Sequence, residues 1–164
     1  MITSLFPTLI HKLKVDDFPS IKDQLIQFVY EEKELWSSGN YVSNIGGWQS
    51  KPHYNSYDNI LFNIIKQTVK IFDTLDIVSL WMNINGKGHH NTLHNHPHCD
   101  YAGCFYIQTF DDCGDIYFES QGWKEPEEGT IFLFPSSLQH KVGENKTDKN
   151  RISSSFNMQL KSEK

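Results

Sequence analysis

Alanine and arginine are almost missing from the 164-residue sequence, which has one of each, Ala102 and Arg151, although lysine and arginine together number 15. Cysteine is scarce as well. The three cysteines follow no framework spacing, which excludes a disulfide scaffold and fits a reducing compartment. No apolar run approaches the roughly 18 residues of a membrane-spanning helix. The first residues lack the charged and apolar regions of a secretory signal, so we expect a cytoplasmic protein without a membrane segment.

The formal net charge of −5 is weakly acidic. A protein of this charge is not built to bind nucleic acid through its whole surface, so nucleic acid is not an expected partner. Hydrophobic residues make up 38% of the sequence and aromatic residues 13%, which is enough large apolar surface to fill a core. The length corresponds to one domain. We therefore predict a single domain over residues 1–164, and nothing in the sequence indicates its oligomeric state.

The amino-terminal part, about residues 17–75, is predicted to be helical after a strand within residues 5–15. Pro19 suits the first turn of a helix that ends near Leu35, and Asp58 is a suitable cap for a second helix. The loop between them, residues 37–57, contains a short strand near Trp48 and is either a lid or substrate wall or an ordered surface loop pinned by Trp48. The expected buried positions of the two helices are Ile21, Leu25, Phe28, Val29, Ile60, Leu61, Ile64, Ile65, Val69 and Phe72.

The remaining part, about residues 76–160, is predicted to be a β-barrel core. Alternating side chains over residues 77–84 indicate a strand. Further strands are predicted at residues 104–109, 115–119, 130–134, 139–142 and 151–160. Two helices followed by about six short strands favour a mainly β fold, in which the helices pack on one face of an antiparallel barrel or sandwich.

Five of the eight histidines fall between residues 89 and 98, the strongest local anomaly in the sequence. His94 and His96 are two residues apart, so on an extended segment their side chains point to the same side and can bind one metal ion. His98 and Asp100 continue this alternation. For any one of these histidines a solvated polar loop is the plainer interpretation, but it does not account for the whole cluster.

A third metal ligand is available at His140, which follows an apolar strand and a tight turn. Alone, it would more often be a half-buried strand histidine. Together with His94 and His96 it gives two ligands from one segment and one from another with coordination positions left open, which suits a catalytic iron site. The spacing does not match a structural zinc finger, and the sequence has no Cys-x-x-Cys pair.

The lone arginine stands at the start of the alternating segment 151–160. Arg151 and Ser153 share one face of this strand, which is predicted to face the inside of the barrel. A guanidinium with a hydroxyl is a good receptor for a carboxylate, because arginine donates through a fork that lysine cannot reproduce. A surface salt bridge is the plainer interpretation of Arg151 alone. Its position behind a candidate metal ligand favours a carboxylate site.

These motifs resemble the Fe(II)- and 2-oxoglutarate-dependent oxygenases, whose hallmark is His-x-Asp or a variant, a distal His and then Arg-x-Ser. The corresponding residues are His94-Asn95-His96, His140 and Arg151-Ile152-Ser153. More narrowly, the chain resembles a small branch of these oxygenases found in bacteria and their marine phages. The matching stretches, spread over about residues 5–160, are residues 46–50, 81–83, 88–91, 94–97, 129–136, 140 and 151–157.

The resemblance implies a double-stranded β-helix (a jelly-roll or cupin-like barrel) and an enzyme that uses Fe(II), 2-oxoglutarate and O2. It implies that His94, His96 and His140 bind the iron and that Arg151 and Ser153 hold the distal carboxylate of 2-oxoglutarate. The further polar neighbours expected around this cosubstrate are Asn83, Asn91, Tyr106 and Asn157. The implied reaction is hydroxylation of an unidentified substrate, such as a peptidyl proline or a small molecule, with release of succinate and CO2.

The sequence departs from the broader family at one metal ligand, because His96 stands where a carboxylate is usual. The shifted frame His98-Cys99-Asp100 is a literal His-x-Asp, so Asp100 is the rival ligand. We prefer His94 and His96 because Pro97 matches the branch pattern. Two other functions stay open. One is a cupin-type metal-binding protein or metalloenzyme that does not use 2-oxoglutarate and has no need of Arg151. The other is a non-catalytic phage domain.

Overall fold

Two antiparallel β-sheets form the framework of the protein in a computed structural model, which describes residues 8–54, 58–119 and 122–161. In chain order the elements are β1 (His11–Lys14), α1 (Phe18–Leu35), β2 (Asn44–Ile45), β3 (Trp48–Gln49), α2 (Ile60–Thr68), β4 (Leu75–Asn85), β5 (His90–His94), β6 (Tyr101–Gln108), β7 (Ile116–Phe118), β8 (Gly122–Lys124), β9 (Thr130–Pro135), β10 (His140–Val142) and β11 (Arg151–Leu160). The predicted strand within residues 5–15 is observed as β1, and residues 5–7 lie outside the described residues.

The larger sheet has the order β1-β9-β6-β11-β4-β3, and the smaller has the order β2-β5-β10-β7-β8. Nearly every pairing joins strands that are distant in sequence, as in a jelly roll, so the two sheets face each other across a shared interior. This confirms the predicted mainly β fold with two helices. The short strand predicted near Trp48 is observed as β3, whereas β2, β5 and β8 were not individually predicted, because segments of two to five residues carry too little alternation to identify.

The two helices cover the outer face of the larger sheet. Leu25 and Val29 of α1 and Leu61 and Ile65 of α2 are fully buried, in one apolar cluster with the side chains of the larger sheet. The observed cap of α2 lies one residue after the predicted cap. Asn59, not Asp58, caps the helix, because its Oδ1 accepts hydrogen bonds from the backbone N–H groups of residues 61 and 62 at 2.9 and 3.3 Å.

None of the described helices is long and apolar enough to cross a membrane.

The loop between α1 and α2 is anchored by Trp48, which is buried and donates through Nε1 to the Trp36 carbonyl at 2.8 Å. Residues 55–57 at the end of this loop lie outside the described residues. The loop also supplies Ser43 to the lining of the pocket described below.

Strand β11 lies in the middle of the larger sheet, between β6 and β4, and shows the predicted alternation. Ile152, Phe156 and Met158 join the apolar cluster beneath the helices. Arg151 and Ser153 point the other way, into the space between the sheets. A second and smaller apolar cluster occupies this space and consists of Ala102, Tyr106, Ile116, Phe118, Phe132 and Phe134. The strand therefore separates a helix-covered core from a partly polar interior.

Candidate metal and cosubstrate site

Three histidines meet at one end of the interior. His140 of β10 is paired directly with His94 at the end of β5. His96 lies two residues beyond this strand, and its backbone N–H donates to the Ser136 carbonyl at 2.9 Å. One ring nitrogen of each histidine lies within 4.8 Å of those of the other two. The pairing of β5 with β10 thus brings His94 beside His140, which is 46 residues later in the chain.

Backbone carbonyls hold two of these rings in a defined tautomer. His94 Nδ1 donates to the Thr92 carbonyl at 2.8 Å, and His140 Nδ1 donates to the Leu138 carbonyl at 3.0 Å. A carbonyl oxygen can only accept, so in both rings the proton is on Nδ1 and Nε2 keeps its lone pair. This is the arrangement in which histidine binds a metal ion through Nε2.

Burial keeps the three imidazoles neutral. It lowers the pKa of His96 to about 3, helped by the neighbouring His140 and His94, and it lowers the pKa of His140 to about 4. The pKa of His94 is lowered for the same reason. Metal binding requires the neutral ring, so at neutral pH no proton has to be displaced from these ligands. The donor set fits a divalent transition-metal ion.

The alternative ligand frame does not come together in the structure. Asp100 is exposed, and its Oδ2 accepts a hydrogen bond from the Leu160 backbone N–H at 2.8 Å. His98 is exposed as well. Neither belongs to the group formed by His94, His96 and His140. The geometry therefore favours the three-histidine frame, and the carboxylate of Asp100 serves to connect the end of β11 to the start of β6.

Arg151 lies in the same interior and is 2% exposed. One guanidinium nitrogen, Nη1, donates to the carbonyls of Cys113 and Gly114, both at 2.9 Å. Within the described residues no carboxylate forms a salt bridge with it. The carboxyl of Asp115, on which its charge acts, has its pKa raised by burial and by Asp112, against the lowering effects of Lys146 and Arg151. A buried guanidinium without an ion pair is costly unless an anion binds beside it.

One pocket contains both Arg151 and the three histidines, with about 530 Å³ of space that continues into solvent. Its other lining residues are Ser43, Trp81, Asn83, Asn91, Gly103, Cys104, Tyr106, Ile116, Phe134, Val142, Ser153 and Ser155. Of the predicted polar neighbours, Asn83, Asn91, Tyr106 and Ser153 line this pocket. Asn157 is not among the lining residues. Trp81 lies in a stretch that the sequence singled out, but Ser43 carried no signal and was missed.

The buried hydroxyl of Tyr106 indicates which kind of ligand the pocket accommodates. This oxygen is buried and makes no aligned hydrogen bond with any described residue, although the Cys104 thiol is within reach and the charge of Arg151 acts on it. Tyr106 is also paired with Ser153 in the pairing of β6 with β11. Buried polar groups are nearly always satisfied, so an unsatisfied hydroxyl in a lined pocket indicates a missing partner. A carboxylate would satisfy Tyr106, Ser153 and Arg151 together.

A family model described as "Putative 2OG-Fe(II) oxygenase" matches residues 118–157, a segment that contains His140, Arg151 and Ser153. The chain thus resembles the 2OG-Fe(II) oxygenases. The enzymes of this family use Fe(II), 2-oxoglutarate (2OG) and O2, and the three-histidine group fits the iron. None of the curated proteins matches the chain in sequence.

Solved structures of such oxygenases share the fold over nearly the whole chain. The viral collagen prolyl hydroxylase of Paramecium Bursaria Chlorella virus-1, in its 2OG complex, has a TM-score of 0.68 and 14% identity, covering 91% of this chain and 94% of that one. A prolyl-4-hydroxylase of Pseudomonas putida has a TM-score of 0.65 and 12% identity, covering 94% of each chain. The carbocyclase SnoK of nogalamycin biosynthesis has a TM-score of 0.70 and 7% identity, covering 92% of this chain and 79% of that one. At these identities the likeness confirms the double-stranded β-helix fold.

Proposed function

We propose that the protein is an Fe(II)- and 2OG-dependent oxygenase that hydroxylates a C–H bond of its substrate and releases succinate and CO2. The observation that carries the proposal is the placement of Arg151, which is buried, forms no ion pair with a described residue and shares one pocket with three neutral histidines. A cupin-type metal protein that does not use 2OG would have no use for a buried guanidinium at this place.

The proposed roles follow from the contacts. His94, His96 and His140 hold Fe(II) through their unprotonated ring nitrogens. Arg151, Ser153 and Tyr106 bind the distal carboxylate of 2OG, and Asn83 and Asn91 line the wall between the two ends. When bound, the iron supplies the redox chemistry that couples 2OG and O2 to hydroxylation. The chain's own contribution is to orient the keto acid between fixed groups and to limit the access of water.

The charge of the pocket supports a dianionic cosubstrate. No aspartate or glutamate is among its lining residues, and the three histidines are neutral. A site with two histidines and one carboxylate would contribute one negative charge to the metal. Here the pocket contributes none, so the charges of Fe(II) and Arg151 are both available to attract the two carboxylates of 2OG.

For the substrate we propose a peptidyl residue such as proline, with a small molecule as the second class. Support for the first class is the similarity in fold to two prolyl hydroxylases, and support for the second is the similarity to SnoK. The pocket lining includes the half-buried indole of Trp81, a flat apolar surface suited to a saturated ring. The acidic net charge argues against a nucleic-acid substrate.

The deciding experiment is an anaerobic titration of the metal-free protein with Fe(II) and then with 2OG, followed by visible absorption. A weak charge-transfer band that requires both components is expected, because the keto acid would chelate protein-bound iron. Iron binding without this band would favour the cupin-type function. Succinate release in air, measured with proline-containing peptides and with small-molecule candidates, then identifies the substrate class.

A further inference from the structure

Each histidine of the cluster has a second ring nitrogen that must be satisfied away from the metal. For His94 and His140 the partner is the backbone carbonyl two residues earlier, that of Thr92 or Leu138. His96 differs. Within the described ranges no backbone carbonyl bonds its ring, and the one aligned ring contact is Nε2, 3.4 Å from His140 Nε2. The direction in which His96 points must therefore be set by side chains.

One of these side chains is Trp81. Its indole is stacked on the His96 ring, with centroids 5.9 Å apart and planes inclined by 30°. A stacked neighbour restrains the plane of an imidazole but leaves the ring free to rotate within that plane. Only a hydrogen bond in the plane determines which nitrogen faces the metal.

Asn157 supplies the missing group. Its Nδ2 donates to Ser79 Oγ at 3.1 Å, which fixes the amide against β4 and directs Oδ1 away from Ser79. That Oδ1 is buried and makes no aligned hydrogen bond with any described residue. Asn157 is paired with Ser79 of β4, and Trp81, on which His96 is stacked, lies two residues further along the same face of that strand, so the amide is within hydrogen-bonding reach of the His96 ring. A buried acceptor and an imidazole without a backbone partner among the described residues thus lie side by side.

We propose that Asn157 is a positioning residue for His96, whose ring N–H donates to the amide oxygen and so leaves Nε2 directed at the metal. The inference rests on the proposed role of His96 as a metal ligand. It moves Asn157 from the cosubstrate, where the resemblance to the oxygenases had placed it, to the metal. It also makes His96 the one histidine of the three whose orientation depends on a replaceable side chain.

The test is titration with Co(II) alone, without 2OG, of the wild type and of Asn157→Leu and Asn157→Asp, which have nearly the same shape. Loss of a partner that orients a metal-binding histidine weakens metal affinity by about 10- to 100-fold, so we expect a loss of this size for Asn157→Leu. Asn157→Asp keeps the acceptor and should restore the affinity. Because a carboxylate draws the ring proton more strongly, it should also shift the visible spectrum of the Co(II)-loaded protein.

Asn150→Leu is the matched control, because it makes the same change at another half-buried asparagine, whose Nδ2 donates to the Tyr30 hydroxyl at 2.9 Å and which does not line the pocket. Its Co(II) affinity should equal that of the wild type. If Asn157→Leu has the same Co(II) affinity and spectrum as the wild type, the inference is overturned. An equal loss of affinity in the Leu and Asp variants would overturn it as well, because it would show that side-chain packing and not a hydrogen bond is responsible. An unchanged spectrum in Asn157→Asp would overturn it even if the Leu variant does not fold. Failure of the wild type to bind Co(II) would instead contradict the proposed function itself.

Discussion

His94 and His140 are opposite each other in the pairing of β5 with β10, and their ring centroids are 4.3 Å apart. These two neighbouring strands of the smaller sheet therefore supply two of the three histidines of the candidate metal site. A change that separates β5 from β10 also separates His94 from His140. Metal binding and the pairing of these two strands therefore stabilise each other.

His140→Ala is expected to abolish tight Fe(II) binding, because it removes the most buried of the three ligands. His96→Ala should also weaken binding strongly, whereas Asp100→Ala should bind iron as the wild type does. Anaerobic Fe(II) titration of the three variants measures these affinities. Normal iron binding by His96→Ala together with loss of binding in Asp100→Ala would restore the His98–Asp100 frame.

Arg151→Lys is expected to weaken 2OG binding while metal affinity stays close to that of the wild type. A lysine retains the charge but cannot form the paired hydrogen bonds of a guanidinium. Losing a charge-assisted hydrogen bond costs roughly 1.5–3 kcal/mol, which corresponds to about a 10- to 100-fold loss of affinity. Calorimetric titration of the Mn(II)-loaded protein with 2OG checks this, and unchanged 2OG affinity would show that Arg151 does not bind the carboxylate.

Gly114→Ala is expected to displace Arg151 and so to weaken 2OG binding. A Cβ at this position would lie 2.2 Å from the Gly143 carbonyl oxygen and 2.9 Å from Arg151 Nη1. Gly122→Ala is the control, since Gly122 also has a positive φ, +80° compared with +96°, but a Cβ there meets nothing within 4 Å. Both variants bear the same kind of backbone strain. If they lose 2OG affinity equally, close packing against Arg151 is not the cause.

The metal-free protein is expected to lose stability as the pH falls from about 6.5 towards 4. The pKa of His96 is lowered to about 3 and that of His140 to about 4, from an ordinary value of 6.5. Over this range the unfolded chain therefore takes up protons that the folded chain does not, and the free energy of unfolding decreases with decreasing pH. Urea unfolding in EDTA at several pH values measures the effect. His140→Gln should show a smaller pH dependence, and an equal dependence would assign it to other groups.

The sequence was most informative where one periodicity determines geometry. The two-residue spacing of His94 and His96 and the alternation from Arg151 to Ser153 follow from the pleat of an extended chain, and both survive in the structure. What could not be predicted depends on contacts between distant segments. The entry of Ser43 into the pocket and the stacking of Trp81 on His96 are products of such contacts. The carbonyl partners of His94 and His140 lie only two residues earlier in the chain, but a backbone acceptor carries no signal in residue type. Asn59 was missed for a different reason, since Asp58 beside it is an equally good cap by residue type.

The two ends of the pocket belong to different layers of the protein. The histidines sit on or beside the smaller sheet, whereas Arg151 and Ser153 sit on β11 in the larger sheet. A molecule that binds the metal at one end and the guanidinium at the other would act as a removable cross-link between the layers. Its conversion into a shorter diacid that no longer spans them would release that cross-link after each turnover, so product departure and relaxation of the barrel would be one event.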